Sequence, residues 1–383
     1  MKTQIRVQAN PYARCRILCG IAVTVATVLC ANRAVAQLDT EPTNGVAGAA
    51  DVLSLNSGAA ISNLAGLRVG GNDVDFYSTL LTTGDVLFGM TTPLGDLPTT
   101  FDVPDTVAGV FSGGVPQTYN DDDGADSFPA IGFNFGSLFR FQAPGSGTYH
   151  VGVTGTGDEE FDGAASGDEH FESGSYMLTV GRVNPAVLGG DFSDTDPLND
   201  GIFPMPPPPF PGRPGPFAPD AIAVAPFTAQ VSVAELLAND VDYFKLELKA
   251  GWVLSAMTAP LGDLSSTFDV PDTILGLFNS AGVKIFENDD AGNELESVLN
   301  DNLASDSPFE PSEIRGSALR ALIPTDGTYY LAVSGFSDDL YVGSHGESGR
   351  YALLVGTIPE PGSLVLIGLG LVGLLGVSRR RGR

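Results

Sequence analysis

A long internal repeat is the feature that most constrains the fold of this chain. Residues 93–106 (PLGDLPTTFDVPDT) and residues 260–273 (PLGDLSSTFDVPDT) are identical at 12 of 14 positions, at an offset of 167 residues. Shorter matches flank this pair in the same order and define a unit of about 130 residues, the size of a domain. They pair residues 72–75 with 239–242, 120–122 with 288–290, 147–149 with 327–329, and 172–176 with 347–351. The chain therefore contains one domain twice.

A proline-rich segment separates the two copies. Residues 204–219 contain nine prolines, which favour an extended polyproline spacer over a packed segment. We therefore predict a first repeat over residues 50–183, an acidic and Pro-rich linker over 184–221, and a second repeat over 222–357. This composition predicts two separate modules on a semi-rigid connection.

The apolar pattern within each copy predicts β-strands. Tyr149, Val151 and Val153 alternate with more polar or smaller residues, and the second copy repeats the alternation from Tyr329. A period of two is typical of half-buried strands. The many glycines and prolines, 48 and 27, mark frequent turns. The predicted fold is all-β, with two tandem antiparallel β-sandwiches of about eight strands each, and only the lead-in residues Val233 to Leu237 suggest a helix.

The N-terminus has the pattern of a secretory signal. Residues 1–36 carry basic residues and no acid, then an apolar stretch from Ile17 to Ala31. Ala34 and Ala36 precede Gln37, which predicts cleavage between Ala36 and Gln37. The alternative, a retained membrane anchor, is weaker because the apolar stretch is short. All three cysteines lie in this segment, so the mature chain has no thiol for disulfides, nucleophilic catalysis or metal binding.

The C-terminus, residues 359–383, combines three elements in a fixed order. Pro359-Glu360-Pro361 precedes an apolar run over residues 364–377 and then a basic cluster. The cluster contains Arg379, Arg380 and Arg381. This order resembles the PEP-CTERM sorting signal. The resemblance implies recognition by an exosortase-type machinery at the inner membrane, transient anchoring there through a short transmembrane helix, and delivery to the cell surface or extracellular matrix; a plain tail anchor is the alternative.

The charge balance excludes one class of partner. The chain has 46 acidic and 19 basic side chains and a net charge of -27. Residues 37–358 alone hold 45 acidic and 10 basic side chains, a balance of -35. Nucleic acid binding is therefore not expected, because it requires a basic surface. Such a charge also repels anionic polymers unless divalent cations bridge the two.

Several short motifs of the repeats resemble the bacterial pre-peptidase C-terminal domain. They are an Asp-Val-Asp opening strand, an Asn-Asp-Asp turn, a Gly-Thr-Tyr strand and a closing Gly-x-Tyr strand. Residues 239–356 match this pattern more closely than the first copy, which has His150 in place of the second tyrosine. The resemblance implies jelly-roll-like β-sandwiches that are not catalytic, some of whose relatives bind calcium or a polymeric substrate.

The acidic turns of both copies suggest calcium sites. Calcium prefers clustered carboxylate, amide and carbonyl oxygens, and these turns supply them beside a glycine. The candidate ligands are Asp105, Asn120, Asp121 and Asp122 in the first copy, and Asp272, Asn288, Asp289 and Asp290 in the second. The spacing is not that of an EF-hand. The alternative is that these residues close β-turns and face water.

The sequence contains none of the common catalytic motifs, so we expect no enzymatic activity. His170 and His345 share a repeated His-x-Glu-Ser-Gly site, for which local hydrogen bonds are favoured over metal binding because catalytic zinc usually has three protein ligands. The leading hypothesis is an exported, non-catalytic protein that binds or scaffolds a polysaccharide or protein polymer. The alternatives are a secreted hydrolase or its accessory subunit, and a calcium-stabilised structural spacer.

Overall fold

A computed structural model describes the folded parts of both repeats. It covers residues 50–67, 73–94, 103–121, 136–158, 161 and 174–186 in the first repeat, and residues 220–261, 270–289 and 316–359 in the second. The predicted signal segment and nearly all of the linker and of the C-terminal motif lie outside these ranges. No helix within these ranges is long and apolar enough to cross a membrane.

Each repeat contains nine β-strands in its described residues, one more than the sequence predicts. The first repeat has β1 (Asp51–Val52), β2 (Ala59–Leu67), β3 (Asp75–Leu81), β4 (Val86–Leu94), β5 (Thr106–Ser112), β6 (Val115–Asp121), β7 (Leu138–Gln142), β8 (Gly147–Gly155) and β9 (Gly174–Val183). The second has β10 (Asp220–Ala221), β11 (Thr228–Leu236), β12 (Asp242–Leu248), β13 (Trp252–Pro260), β14 (Thr273–Asn279), β15 (Lys284–Asp289), β16 (Ala318–Leu322), β17 (Gly327–Gly335) and β18 (Gly349–Pro359). The all-β prediction is confirmed.

Each repeat folds into a sandwich of a five-stranded and a four-stranded sheet. Outer sheet 1 has the order β1-β3-β8-β5-β6 and inner sheet 1 the order β2-β9-β4-β7. Outer sheet 2 has the order β10-β12-β17-β14-β15 and inner sheet 2 the order β11-β18-β13-β16. Apart from the parallel two-residue strands β1 and β10, the pairings are antiparallel. The sandwich prediction is confirmed for both copies.

The alternating strands place their apolar side chains between the two sheets of each repeat. Tyr149, Val151 and Val153 of β8 are buried in the core of the first repeat. Tyr329 and Leu331 of β17 are buried in the same way in the second repeat. The period of two in the sequence therefore marks the inward face of these strands.

The segment that suggests a helix is a strand. Val233 and Leu236 belong to β11, in which Val233 pairs with Ala352 and Leu236 with Gly349 of β18. Leu237 follows the end of β11. The helix interpretation is wrong because pairing with β18 along nine residues outweighs the weak helix preference of this short segment.

The two repeats pack against each other through their inner sheets. One hydrophobic cluster contains Phe88 and Met90 of the first repeat together with Ala256 and Leu354 of the second. All nine residues of β4 are buried, as expected for a strand covered on both faces. The layers therefore follow the order outer sheet 1, inner sheet 1, inner sheet 2, outer sheet 2. The prediction of two separate modules is wrong.

Two polar contacts fix the direction of this stacking. The hydroxyl groups of Thr92 and Ser255 lie 2.7 Å apart, and Arg140 donates from Nε to the Pro260 carbonyl oxygen at 2.7 Å. Arg140 lies beside Phe88 of β4 in the sheet, so the Phe88 end of β4 lies near Pro260. Thr92, further along β4, lies near Ser255, which comes earlier in β13. Inner strands β4 and β13 are therefore stacked antiparallel, and equivalent ends of the two repeats point to opposite poles of the molecule.

Candidate metal and binding site at the acidic ends

The parts of the candidate calcium sites that the structure describes lie at one end of each sandwich, which we name the acidic end. Asp105 immediately precedes β5, and β5 pairs Val107 with Asp121 at the end of β6. In the second repeat Asp272 precedes β14, which pairs Ile274 with Asp289. The start of β5 and the end of β6 therefore lie side by side, as do the start of β14 and the end of β15. Asp122 and Asp290, and the side chains of Asp121 and Asp289, lie outside the described residues.

The two asparagines of the acidic turns connect the sheets of each sandwich. Asn120 accepts a hydrogen bond at Oδ1 from the Leu138 N–H (3.2 Å), and Asn288 accepts one from the Ala318 N–H (3.1 Å). Each bond joins the edge strand of an outer sheet to the edge strand of an inner sheet. Asn120 is 3% exposed. Both amides thus have a structural role that the turn interpretation, with side chains facing water, does not describe.

A buried hydroxyl network lies directly beneath each acidic end. In the first repeat Thr91 and Thr106 are joined at 2.6 Å, and Ser137 donates its N–H to Thr91 Oγ1 at 2.8 Å. The second repeat has the same contacts, at 2.6 and 2.8 Å, among Thr258, Thr273 and Ser317. Because buried hydroxyl groups require partners, this network fixes the start of β5 and β14, where Asp105 and Asp272 lie.

A buried aspartate–tyrosine pair closes the same end of each core. Tyr176 donates its hydroxyl to Asp75 Oδ2 at 2.5 Å, and Tyr351 donates to Asp242 Oδ2 at 2.6 Å. Burial raises the pKa of the Tyr176 hydroxyl well above its usual value, and the Asp75 carboxylate raises this pKa further. Sequence reasoning did not assign these residues a role, although the Asp-Val-Asp and Gly-x-Tyr motifs recur in both copies.

A second aspartate in each repeat stabilises the loop that follows β8 in the first repeat and β17 in the second. Asp158 Oδ2 accepts the Thr154 hydroxyl at 2.8 Å, and Asp338 Oδ2 accepts the Ser334 hydroxyl at 2.7 Å. Three residues later Phe161 and Tyr341 adopt left-handed backbones, with φ of 53° and 50°. The Tyr341 ring covers Gly276, where any Cβ would lie 2.6 Å from that ring. These aspartates therefore hold an aromatic side chain over the outer sheet.

The repeated His-x-Glu motif makes hydrogen bonds to the backbone in the second repeat. His345 is buried and its Nε2 donates to the Asp240 carbonyl oxygen at 2.6 Å. Glu347 Oε2 accepts the Asp272 N–H at 3.1 Å. Both bonds join the motif to backbone groups distant in the sequence, so they hold the turn against other parts of the repeat instead of staying local to it. His170 lies outside the described residues.

Carboxylates remain the candidate cation ligands of the acidic ends. Among the side chains that the structure describes, no group of three or more His, Cys, Asp and Glu residues could hold a metal ion. The side chains of Asp121, Asp122, Asp289 and Asp290 lie outside the described part of the structure. The calcium site therefore stays a prediction. The structure describes the strand ends beside it and the hydrogen bonds of Asn120 and Asn288.

The first repeat also contains a charged cluster that sequence reasoning missed. Arg182 and Asp85 form an ion pair at 2.6 Å, with side chains 13% and 0% exposed. Thr82 donates its N–H and Asn184 its Nδ2 to the same carboxylate. Burial alone raises the pKa of Asp85, but these hydrogen bonds and Arg182 outweigh burial and hold the pKa below its usual value. The cluster lies at the pole opposite to the acidic end of its own repeat.

Solved structures similar to the chain are β-domains of varied function. Aeromonas hydrophila PliG, a periplasmic inhibitor of g-type lysozyme, is 15% identical, with 37% of this chain and 99% of that chain covered at a TM-score of 0.22. The pre-peptidase C-terminal domain of Bacillus anthracis collagenase is 15% identical, with 34% and 93% covered at 0.21. Tandem CBM51 modules of a Streptococcus pneumoniae family 98 glycoside hydrolase are 9% identical, with 76% and 83% covered at 0.18. No curated protein matches the sequence.

One family model matches the chain. Residues 357–381 match the PEP-CTERM protein-sorting motif, as the order of Pro359-Glu360-Pro361, apolar run and arginines predicts. The match begins inside β18, because Thr357 and Ile358 are buried residues of that strand. Glu360 and the arginines lie outside the described residues. The C-terminal end of this chain is a PEP-CTERM protein-sorting motif, which implies export and membrane-anchored sorting through that end.

Proposed function

We propose that this protein is a non-catalytic surface or extracellular-matrix protein that binds or scaffolds a polymer. One observation carries the proposal: the antiparallel stack of the inner sheets presents an equivalent acidic end at each pole of the molecule. Two weak sites on one molecule gain avidity when both reach the same polymer, and they crosslink polymers when each binds a different chain. A polysaccharide or protein polymer outside the cell is the proposed partner.

Calcium is the proposed link between the acidic ends and the polymer. The body of the chain has a charge balance of -35, so direct contact with an anionic polymer is repulsive. Bound calcium would reverse this repulsion locally by ligating oxygens of both partners. The carboxylates of Asp105, Asp121 and Asp122, and of Asp272, Asp289 and Asp290, are the proposed ligands, with the turns held by Asn120 and Asn288.

Sorting of the chain through its C-terminus precedes binding of the polymer. The PEP-CTERM motif supports an exosortase-type machinery as the partner that recognises the C-terminus at the inner membrane. The acidic end of the second repeat lies at the pole opposite to Pro359, because Pro359 pairs with Trp252 at the start of β13. At least one acidic end therefore faces away from the membrane while the C-terminus is anchored.

Thermal unfolding with calcium and with chelator tests the proposed metal sites. A cation that binds only the folded state adds about 2.7 kcal/mol of stability at a hundredfold excess over its Kd. We expect a calcium-dependent rise in the midpoint that an Asp289→Asn/Asp290→Asn variant reduces. Asp339→Asn is the matched control, because Asp339 is an exposed carboxylate outside the turn. A midpoint that ignores calcium in the unmodified chain contradicts metal binding.

Retention on immobilised polymer separates the proposed role from its alternatives. We expect anionic polysaccharide to retain the chain in calcium and to release it with chelator. Calcium-dependent stability without retention on any polymer would favour a structural spacer instead. Progressive shortening of the polymer by the purified chain, lost on substitution of the acidic turns, would favour a hydrolase.

A further inference from the structure

The last described strand delivers the sorting motif to one corner of the second repeat. Pro359 at the end of β18 pairs with Trp252, and Phe227 donates its N–H to the Thr357 carbonyl oxygen at 2.8 Å. Leu322 of β16 pairs with Val253, the neighbour of Trp252, and is 45% exposed. Lys249, in the turn before Trp252, has a side chain that is 60% exposed. We name Phe227, Lys249, Trp252 and Leu322 the anchor corner.

The chain between this corner and the apolar segment is short. Only residues 360–363 separate Pro359 from Leu364, where the apolar run begins. Five residue steps span at most about 17 Å when fully extended. The polar layer on each side of a bilayer is about 6 Å thick. With Leu364 at the edge of the hydrocarbon, the anchor corner therefore lies within roughly 11 Å of the lipid headgroups.

The first repeat shows that the sandwich does not require these side chains. The positions equivalent to Phe227, Lys249, Trp252 and Leu322 are Gly58, Thr82, Asp85 and Gln142. Each is smaller or more polar, and Asp85 takes the place of the tryptophan. Phe227 even keeps the left-handed backbone of its glycine counterpart, with φ of 59° against 76°, although such a backbone is unfavourable for a bulky residue.

The antiparallel stack places these two corners at opposite poles. The polar corner of the first repeat lies at the pole away from Pro359, whereas the aromatic and apolar corner lies where the sorting motif leaves the fold. Tryptophan and lysine are the residues that proteins use at the membrane–water boundary, because each combines an apolar body with a polar end. The apolar and aromatic side chains are thus found at the corner nearer the membrane, and the polar side chains at the corner farther from it.

We propose that the anchor corner contacts the lipid headgroup surface while the chain is held by its C-terminal segment. The proposal rests on the membrane-anchored sorting that is part of the proposed function, and it adds a second contact with the same bilayer. Lys249 is paired with Asp326 at 3.1 Å, so the corner carries little net charge. Zwitterionic lipid suits this corner, since the acidic end of the first repeat lies at the same pole.

Trp252 reports on this contact directly, because it is the only tryptophan of the chain. The full chain is reconstituted into phosphatidylcholine vesicles, with or without lipids brominated near the headgroup end of the acyl chain. We expect the tryptophan emission to fall by about twofold in the brominated vesicles, since bromine quenches only at close range. Equal emission in both kinds of vesicle, with the chain still floating with the lipid, overturns the inference but leaves membrane anchoring intact.

Variants that copy the first repeat test which side chains make the contact. A Phe227→Gly/Leu322→Gln variant keeps Trp252 and should lose most of the quenching while still floating with the vesicles. Leu340→Glu is the matched control, because Leu340 is 66% exposed in the loop after β17, away from the anchor corner. Quenching that Leu340→Glu abolishes would contradict the assigned surface. A chain that does not float at all contradicts both the anchoring and the contact.

Discussion

Replacing Asp85 by alanine is expected to destabilise the protein by about 3–5 kcal/mol, the usual effect of removing one partner of a buried ion pair. The side chain of Asp85 is fully buried and that of Arg182 is 13% exposed, so the guanidinium would lose its carboxylate in a place that water barely reaches. Thr82 and Asn184 would lose an acceptor as well. Denaturant unfolding of the two proteins at neutral pH measures the difference.

The pH dependence of this difference has a defined sign. The pKa of Asp85 is lower in the folded protein than its ordinary value of 3.8. Its ionised form therefore contributes stability above about pH 4, and that contribution disappears as the pH falls through the folded pKa. The gap between the unmodified protein and Asp85→Ala should accordingly narrow below about pH 4.

Two further variants complete the test of the buried pair. Asp326→Ala removes an exposed partner of Lys249, with a side chain 62% exposed, and should barely change the free energy of unfolding, because exposed ion pairs contribute little. Asp85→Ala/Arg182→Met removes both charges and should recover much of the loss, because the second repeat has the uncharged Trp252 and Thr357 at these positions. A double variant as unstable as Asp85→Ala would show that the charge of Arg182 is not the cause.

Truncation of Phe88 to alanine is expected to cost about 3–5 kcal/mol, the range for removing a buried aromatic ring. Phe88 is completely buried in the cluster that joins the inner sheets. A Cβ at Gly181 would lie 2.7 Å from the Phe88 ring and 2.9 Å from Val231 of the second repeat, so the ring fills the space between the repeats. Denaturant unfolding measures the effect.

An exposed residue on outer sheet 1 provides the control for Phe88. Leu80 is 69% exposed, and Leu80→Ala should change the free energy of unfolding by less than about 0.5 kcal/mol. A similarly small effect for Phe88→Ala would mean that its ring faces solvent, as it would if the repeats were separate modules.

Much of each repeat can be predicted from the sequence. The duplication shows which segments are equivalent, and the local apolar pattern shows which face of a strand is buried. The period of two from Tyr149 to Val153 marks the inward face of β8, and the match of Asp105 with Asp272 locates equivalent strand starts. Asn120 and Asn288 were assigned to acidic turns from their residue type. Their hydrogen bonds to Leu138 and Ala318 were not predictable, since they depend on the opposite sheet.

The packing of the two repeats was missed although a signal was present. The strand at residues 86–94 reads VLFGMTTPL and that at 351–358 reads YALLVGTI, without polar alternation. Such strands are typical of sheets covered on both faces. The prediction of separate modules was based on the proline-rich linker. A linker limits only the distance between the repeats and does not determine whether they pack together. The Asp85–Arg182 pair was missed for a related reason, because its members are 97 positions apart.

The most direct test of the stacked architecture is to weaken the core of one repeat and observe the other. Leu178 is completely buried in a cluster that contains only first-repeat residues, so Leu178→Ala should cost about 2–5 kcal/mol. Trp252 is the only tryptophan of the chain and belongs to β13 of the second repeat. Our account predicts that the denaturant midpoint of Trp252 fluorescence falls in this variant, together with the loss of far-ultraviolet circular dichroism. A Trp252 midpoint that stays at the value of the unmodified protein, while the first repeat unfolds earlier, would contradict it.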